Sequence, residues 1–331
     1  MSTITTTLIE PTTPMVSQEA ARDRDMEHVV EIKNLCVDYR TESGKLIRAV
    51  DGLDLCVRRG EVVGFIGPNG AGKSTTIKVL MGFLRPKSGF AKVFGEPAGA
   101  MKARRRLGFL PEVALYYPFL TARETLDMFA TLREIPKNRR KMEIDTLLEK
   151  VKLMGRDREL VRGFSKGMLQ RVGIAQAIMG EPDLLILDEV TSGLDPVARY
   201  DVRRILMDFK AKGKTVFFSS HELSEVMMLC DRVILIDEGR VLKEDKLERL
   251  VDTIRRHVIK VKPLMPPQNL PEGVYVHAVH ETHTTFTAED ELAKSRLREL
   301  LSQVGAETID EYEEAGSLED FFVRIIGHKV T

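Results

Sequence analysis

The sequence has few cysteines, no excess of either charge and no long apolar run, and each absence narrows its function. Lysine plus arginine and aspartate plus glutamate both number 50 among the 331 residues, so the formal net charge is zero. Because proteins that coat nucleic acids rely on an excess of positive charge, that role is not expected. The chain is longer than one hydrophobic core usually grows, which predicts a large domain and a smaller one.

Cysteine occurs at three separate positions, Cys36, Cys56 and Cys230, with no CxxC pair among them. This pattern favours small buried side chains in a reducing compartment over a metal site or a disulfide framework. No apolar run approaches the about 20 residues that a membrane-spanning helix needs. If the protein works at a membrane, we therefore expect another chain to hold it there.

The character of the sequence changes near residues 27 and 250. Residues 1–27 are rich in Thr and Pro, and we expect a disordered tail rather than a signal peptide. From residue 28 to residue 250, short apolar runs alternate with helical periodicity, which predicts an α/β domain with a mostly parallel sheet. Residues 113–163 within it are helical in character, and "TARETLDMFATL" opens on a capping pattern.

Residues 251–331 are predicted to form a small C-terminal α+β domain. "HVIKVKPL", "VYVHAV" and "TTFTA" alternate like strands. "DELAKSRLRELLSQVG" is an amphipathic helix pattern that places near one face Leu292, Leu297, Leu300, Leu301 and Val304. A short helix, "SLEDFFVRII", is expected at the end.

The stretch "GPNGAGKST" follows a predicted strand and precedes a predicted helix, which is the context that a phosphate-binding loop requires. The residues expected to wrap the phosphates of ATP are Gly67, Pro68, Asn69, Gly70, Ala71, Gly72, Lys73, Ser74, Thr75 and Thr76. Backbone N–H groups of the loop and the helix N-terminus favour an anion. Lys73 is expected to reach the β- and γ-phosphates, and the Ser74 hydroxyl to bind Mg²⁺.

The apolar run "LLILDE" ends in two acids. It is a buried-strand pattern that delivers Asp188 to the C-terminal edge of the sheet, where ligands bind in parallel sheets. We expect Asp188 to hold Mg²⁺ and Glu189 to accept a proton from the attacking water. Together with the phosphate loop, these acids indicate nucleotide hydrolysis.

The stretch "FSKGMLQR", followed in order by "LLILDEVTSGLD" and "SSHE", resembles the ATP-binding cassette (ABC) ATPases. The resemblance runs from about Val29 to Lys243 and implies a P-loop NTPase fold. That fold has a mostly parallel core sheet, an antiparallel β part and a helical subdomain. In the family, two cassettes pack head to tail, which implies that Ser165 and Gly167 serve the nucleotide of a second cassette. Lys166 and Met168 depart from the family's signature, where a glycine and a glutamine stand.

Further roles come from the resemblance alone. Tyr39 stands where the family stacks an aromatic ring on adenine, and Glu112 stands at the position of a glutamine that binds near Mg²⁺. Asp195 matches the family's D-loop. His221 matches the histidine that contacts the γ-phosphate and, with Glu189 and Lys73, completes the expected catalytic set.

Within the family, the motifs look like the ATPase subunits of exporters whose permease is a separate chain. This implies a homodimer of cassettes bound to a polytopic membrane permease at the cytoplasmic face of the cell membrane, with no span of its own. "YYPFL" (Tyr116 to Leu120) is either exposed to the permease or packed inside the helical subdomain.

Two alternatives stay open at this point. The chain could be a soluble ABC ATPase acting on nucleic acid or ribosomes, although it lacks the long insertion or second cassette of those relatives. The C-terminal domain could also sense a ligand. His277, His280 and His283 suggest a metal site, but His280 would face opposite to the other two along a strand, so none is expected.

Overall fold

The computed structural model describes residues 28–40, 44–253, 255–267 and 269–315. Its strands are β1 (His28–Arg40), β2 (Leu46–Arg58), β3 (Val62–Ile66), β4 (Ser88–Val93), β5 (Glu96–Pro97), β6 (Leu107–Leu110), β7 (Leu184–Asp188), β8 (Thr215–Ser220), β9 (Arg232–Asp237), β10 (Arg240–Lys246), β11 (Arg255–Val261), β12 (Val274–Val279), β13 (Thr284–Ala288) and β14 (Thr308–Ala315). Its helices are α1 (Lys73–Leu80), α2 (Met101–Arg105), α3 (Ala122–Leu132), α4 (Lys137–Lys150), α5 (Lys166–Ile178), α6 (Pro196–Ala211), α7 (Leu223–Leu229), α8 (Leu247–Thr253) and α9 (Glu291–Gln303). The expected disordered tail and the expected helix in "SLEDFFVRII" lie outside the described residues.

The central sheet has the strand order β10-β9-β3-β8-β7-β6. Its neighbours from β9 to β6 pair in parallel, and β10 is an antiparallel edge strand. Val62 and Ile66 of β3 enter one core, while Val63 and Phe65 enter the other. Apolar side chains are needed on both faces of such a strand because both faces are covered. The parallel order brings the C-terminal ends of β3, β7 and β8 to one edge.

Different elements pack on the two faces of the central sheet. An antiparallel sheet of order β2-β1-β4-β5 packs with α1 over one face. Helices α3 to α7 contribute to the core on the other face. This arrangement of parallel core sheet, antiparallel part and helices confirms the predicted fold class. The helical subdomain contains α3, which begins with the expected capping box between Thr121 and Glu124.

A third sheet, of order β12-β13-β11-β14, lies in the C-terminal region and is antiparallel. Helix α9 packs on it through Leu297 and Leu301. The expectation for Leu292 is wrong, because this side chain is exposed and Ala293 is buried instead. Strand β14 was not foreseen, since its charged sequence hides the alternation. The division into domains at residues 27 and 250 stays a prediction.

Among the described residues, no helix has both the length and the apolar character to cross a bilayer.

Candidate functional site

The loop between β3 and α1 is shaped by two glycines that have no room for a side chain. A Cβ on Gly67 would lie 2.3 Å from the Ile236 carbonyl oxygen. A Cβ on Gly72 would lie 2.5 Å from the Ala49 carbonyl oxygen, and Gly72 has a φ of 106°. This left-handed backbone strongly favours glycine. The loop therefore keeps a tight cradle whose backbone is open to a ligand.

Lys73, the first residue of α1, is buried although it carries a charge. Its Nζ donates hydrogen bonds to the carbonyl oxygens of Gly67, at 2.6 Å, and Pro68, at 3.2 Å. The same Nζ lies 3.2 Å from Glu189 Oε1. These contacts balance a charge that would otherwise be costly to bury, and they hold the ammonium group over the loop.

Two hydroxyl groups converge on Asp188 at the end of β7. Ser74 Oγ donates to Asp188 Oδ1 at 3.2 Å, and Ser219 Oγ donates to the same oxygen at 2.6 Å. A hydroxyl group and a carboxylate are oxygen ligands of the kind that Mg²⁺ prefers. Asp188 and Ser74 therefore fit the predicted metal-ligand pair.

Glu189 follows Asp188 with a left-handed backbone, at a φ of 50°. Its N–H donates to Ser219 Oγ at 3.0 Å, and its Oε2 lies 2.6 Å from His221 Nδ1. A non-glycine residue with positive φ is uncommon and tends to occur at functional sites. The turn aims the carboxylate towards both Lys73 and His221.

Lys73, Ser74, Glu189 and His221 share one cleft of about 540 Å³, which we call the central cleft. The predicted metal ligand Asp188 is not among its lining residues and contacts it through Ser74. Its lining residues are Asn69, Gly70, Gly72, Lys73, Ser74, Thr75, Glu112, Glu189, Ser192 and His221. Glu112 lies in this lining beside the phosphate loop, and its role near Mg²⁺ stays a prediction. The mixture of a buried cation, acids and a hydroxyl-rich helix start fits a nucleotide triphosphate with its metal.

Some predicted residues do not line the central cleft. Gly67 and Ala71 are buried in the loop and Pro68 is half-buried. The buried Thr76 donates its hydroxyl hydrogen to the Gly72 carbonyl oxygen at 2.9 Å. The Tyr39 hydroxyl lies 3.3 Å from Thr75 Oγ1, so the ring stands beside the loop.

The remaining predicted residues lie at the starts of two other helices, away from this lining. Ser165 is the N-cap of α5, and its Oγ accepts a hydrogen bond from the Met168 N–H at 3.3 Å. Asp195 caps α6 by accepting from the Ala198 N–H at 2.8 Å. Ser165 and Asp195 are exposed, and Gly167 is half-buried. They are therefore available to something outside this chain.

Sequence reasoning missed three residues of the site. Ser219 Oγ accepts a hydrogen bond from the Glu189 N–H and donates one to Asp188. Ser192 lines the central cleft. Gln170 on α5 donates a hydrogen bond to the Val190 carbonyl oxygen at 2.9 Å. The serines of "TVFFSS" stand at a strand end in a parallel sheet, which could have pointed to Ser219. The buried position of Gln170 emerges only from the packing.

The two alternatives for "YYPFL", exposure to a partner and packing inside the helical subdomain, apply to different residues of the stretch. Tyr116 is partly buried, packs against Phe129 and has a pKa raised by burial. Tyr117 and Phe119 are exposed, with ring centroids 5.5 Å apart. The residue before this stretch, Leu115, is 89% exposed.

Leu115 belongs to an apolar groove of about 540 Å³. The residues that give the groove its apolar character are Met81, Phe83, Leu107, Phe109, Leu115, Phe129 and Leu132. An exposed apolar surface of this kind marks an interaction site more often than a free surface.

The expectation that His280 faces away from His283 is wrong, because both residues lie in the turn between β12 and β13 rather than along one strand. The rings of His280 and His283 are 4.7 Å apart. Buried His257 instead lies 3.5 Å from Glu291 and 3.8 Å from Glu313. Lys294 pairs with Glu291 at 3.3 Å, and we interpret this cluster as an ion-pair network between α9, β11 and β14.

Comparison with known proteins shows which protein family this chain resembles. The sequence profile of the family described as ABC transporter matches residues 50–192. The bacitracin transport ATP-binding protein BcrA of Bacillus licheniformis is 37% identical over 290 residues, which cover 85% of this chain and 93% of that protein. The Nod factor export ATP-binding protein I of Ralstonia nicotianae is 31% identical over 325 residues, which cover 96% of this chain and 95% of that protein.

The fold is also similar to a solved structure with products bound. That structure is a dimeric ATP-binding cassette in a post-hydrolysis state, bound to ADP and Pi. It is 25% identical, has a TM-score of 0.61, and matches over 66% of this chain and 98% of its own length.

Proposed function

Since this chain belongs to the ABC transporter family of ATP-binding proteins, we propose that it drives a separate membrane permease that exports its substrate. The chain is the ATP-binding and ATP-hydrolysing subunit of an ABC transporter. One observation carries the catalytic part of the proposal: in the central cleft, Glu189 contacts both Lys73 and His221 beside a phosphate loop. A soluble ABC ATPase that acts on nucleic acid or ribosomes is not favoured by these relatives.

The residues present fit Mg²⁺. Ser74 and Asp188 lie in hydrogen-bond contact at the loop, and Glu112 lines the same cleft, so the three would hold the metal and its water shell. When bound, Mg²⁺ would neutralise charge on the β- and γ-phosphates. The carboxylate of Glu112 adds a negative charge that should make nucleotide binding depend more strongly on the metal.

The remaining roles follow from what each group can do. Lys73 would turn from the loop carbonyls to the terminal phosphates and stabilise their charge. Glu189 would orient the attacking water and take its proton, while His221 holds that carboxylate and reaches the γ-phosphate. Thr75, at the start of α1, would donate to the α-phosphate, whereas the same expectation for Thr76 is wrong because its hydroxyl is buried and bonded to the Gly72 carbonyl oxygen.

We propose that two cassettes close around the nucleotides. Ser165 and Gly167 begin a helix whose positive end is exposed, and an anion there would be favourable. Asp195 is exposed at the start of the next helix. Tyr39 would support the adenine ring beside the loop.

The apolar groove is proposed as the docking site of a cytoplasmic helix of the permease. The segment after β6 carries Glu112 into the central cleft and Leu115 into the groove. A change at the nucleotide can therefore reach the groove through a few residues of chain. We therefore propose that the protein works at the cytoplasmic face of the cell membrane, held by its permease.

The direct test is the substitution Glu189→Gln. It should lower the kcat for ATP hydrolysis by about 10²- to 10⁴-fold while ATP binding persists, and it should trap a closed dimer in ATP on size-exclusion chromatography. Glu181→Gln is a matched control, because Glu181 also has a positive φ but lies at the surface. Wild-type turnover in Glu189→Gln, or equal losses in both variants, would contradict the assignment.

A further inference from the structure

We propose that Gln170 is a positioning residue for ATP hydrolysis, which fixes the backbone that carries Glu189. The inference rests on the proposed role of Glu189 as the base. It concerns a different helix, α5, whose N-terminus is the one assigned above to the second cassette.

Gln170 is a polar residue on the buried face of α5. It lies little more than one turn after Ser165 and is only 5% exposed. The residues around it on α5 that are also buried are apolar or glycine. A buried amide is costly unless it makes hydrogen bonds, so this position is accounted for by the bond that its Nε2 donates to the Val190 carbonyl oxygen at 2.9 Å.

Val190 directly follows Glu189, and its carbonyl oxygen belongs to the peptide between Val190 and Thr191, one residue beyond the left-handed residue. Glu189 has a φ of 50°, a conformation that is unfavourable for a non-glycine residue and persists only when its surroundings hold it. On the preceding side, the Glu189 N–H is held by Ser219 Oγ at 3.0 Å. On the following side, the Glu189 carbonyl oxygen accepts a hydrogen bond from the Ser192 N–H at 3.1 Å, and Gln170 holds the next carbonyl group, that of Val190.

The same bond ties α5 to the catalytic turn. The N-terminus of α5 carries Ser165, the exposed cap assigned to the second cassette. A displacement of this helix on closure would pull on the Val190 carbonyl through Gln170. Gln170 thus links the surface that meets one nucleotide to the base that acts on the other.

The test uses the full-length chain in steady-state ATP hydrolysis with Mg²⁺. Gln170→Leu removes the donor but keeps a similar volume, and we expect kcat to fall about 10- to 100-fold, because misplacing a reacting group by about 1 Å costs that much. KM and the Kd for ATP should change less than about twofold, since Gln170 does not line the central cleft. Gln176→Leu is the control on the same helix, where the amide lies 3.5 Å from the Phe109 carbonyl oxygen, and it should keep the wild-type kcat.

A second variant separates positioning from folding. An ionised Glu cannot donate to a carbonyl, whereas a protonated Glu can, and burial raises the pKa of a carboxyl group. The ratio of the kcat of Gln170→Glu to that of wild type should therefore rise as the pH is lowered from about 8 to about 6. The corresponding ratio for Gln170→Leu should stay constant.

The outcomes are distinct. Wild-type kcat in Gln170→Leu, or a pH-independent ratio for Gln170→Glu, overturns the inference while leaving Glu189 as the base. Wild-type turnover in Glu189→Gln overturns the proposed function, and the role of Gln170 falls with it.

Discussion

The contact between Lys73 and Glu189 predicts that two catalytic residues stabilise each other before nucleotide binds. Their charged atoms are 3.2 Å apart, and their side chains are only 5% and 8% exposed. At an effective dielectric constant of about 20, the direct attraction is about 5 kcal/mol. The cost of removing both charges from water offsets much of it, so we expect a net coupling of about 1–3 kcal/mol.

A double-mutant cycle with Lys73→Met and Glu189→Gln measures this coupling. Lys73→Met leaves a buried carboxylate with His221 as its remaining partner, and should lower the free energy of unfolding by about 2–3 kcal/mol. Glu189→Gln should cost less, because the Lys73 ammonium keeps its hydrogen bonds to the carbonyl oxygens of Gly67 and Pro68. The double variant should lose less than the sum of the two.

The assay is urea unfolding without nucleotide or Mg²⁺, followed by circular dichroism. Repeating the cycle with ATP and Mg²⁺ should shrink the coupling, because Lys73 then turns to the phosphates. Effects that add to within about 0.5 kcal/mol without nucleotide would refute the claim that the two charges form a coupled pair.

Three further predictions concern the loop, an acid and a cap. Gly72→Ala should weaken ATP binding at least tenfold in a nucleotide titration, since the new Cβ would lie 2.5 Å from the Ala49 carbonyl oxygen; unchanged affinity would show that the loop can relax. The hydrogen bond from Arg123 holds the pKa of Asp157 below its ordinary value. The ionised Asp157 therefore contributes its full stabilisation above the ordinary pKa of about 4, and this stabilisation is lost as the pH falls through the lowered pKa. Asp157→Asn should therefore lower the Tm at pH 7, and the gap to wild type should narrow in a Tm series towards acid; a constant gap would contradict this. Thr121→Ala removes a capping box and should cost about 1 kcal/mol in urea unfolding, whereas no change would mean that the cap is replaced by water.

The sequence was sufficient to predict the parts of the site that stand at the ends of strands. Lys73, Asp188 and His221 each follow an apolar run, and parallel strands end at one edge of a sheet. That rule accounts for the meeting of Lys73 and His221 in the central cleft and for the contact of Asp188 with Ser74. The fold class was predictable for the same reason, because the buried strands are apolar on both faces.

What the sequence did not predict depends on side chains that reach across elements. The contact of Gln170 with the Val190 carbonyl depends on how α5 lies against the turn after β7, and no local spacing encodes it. Strand β14 pairs with β11 although its residues are mostly charged, because pairing satisfies the backbone whatever the side chains are. Leu292 is exposed because α9 packs through Ala293 and Leu297.

The central claim is that this ATPase works on a permease, and one measurement tests it most directly. Tagged Glu189→Gln protein would be expressed in its native cell, extracted gently from membranes in ATP and Mg²⁺, and its partners identified by mass spectrometry. The account predicts a multi-span membrane protein in stoichiometric amount, lost when Leu115 and Leu132 of the apolar groove are changed to Asp. Recovery in the soluble fraction with ribosomes, with nucleic acid or with no partner would contradict it.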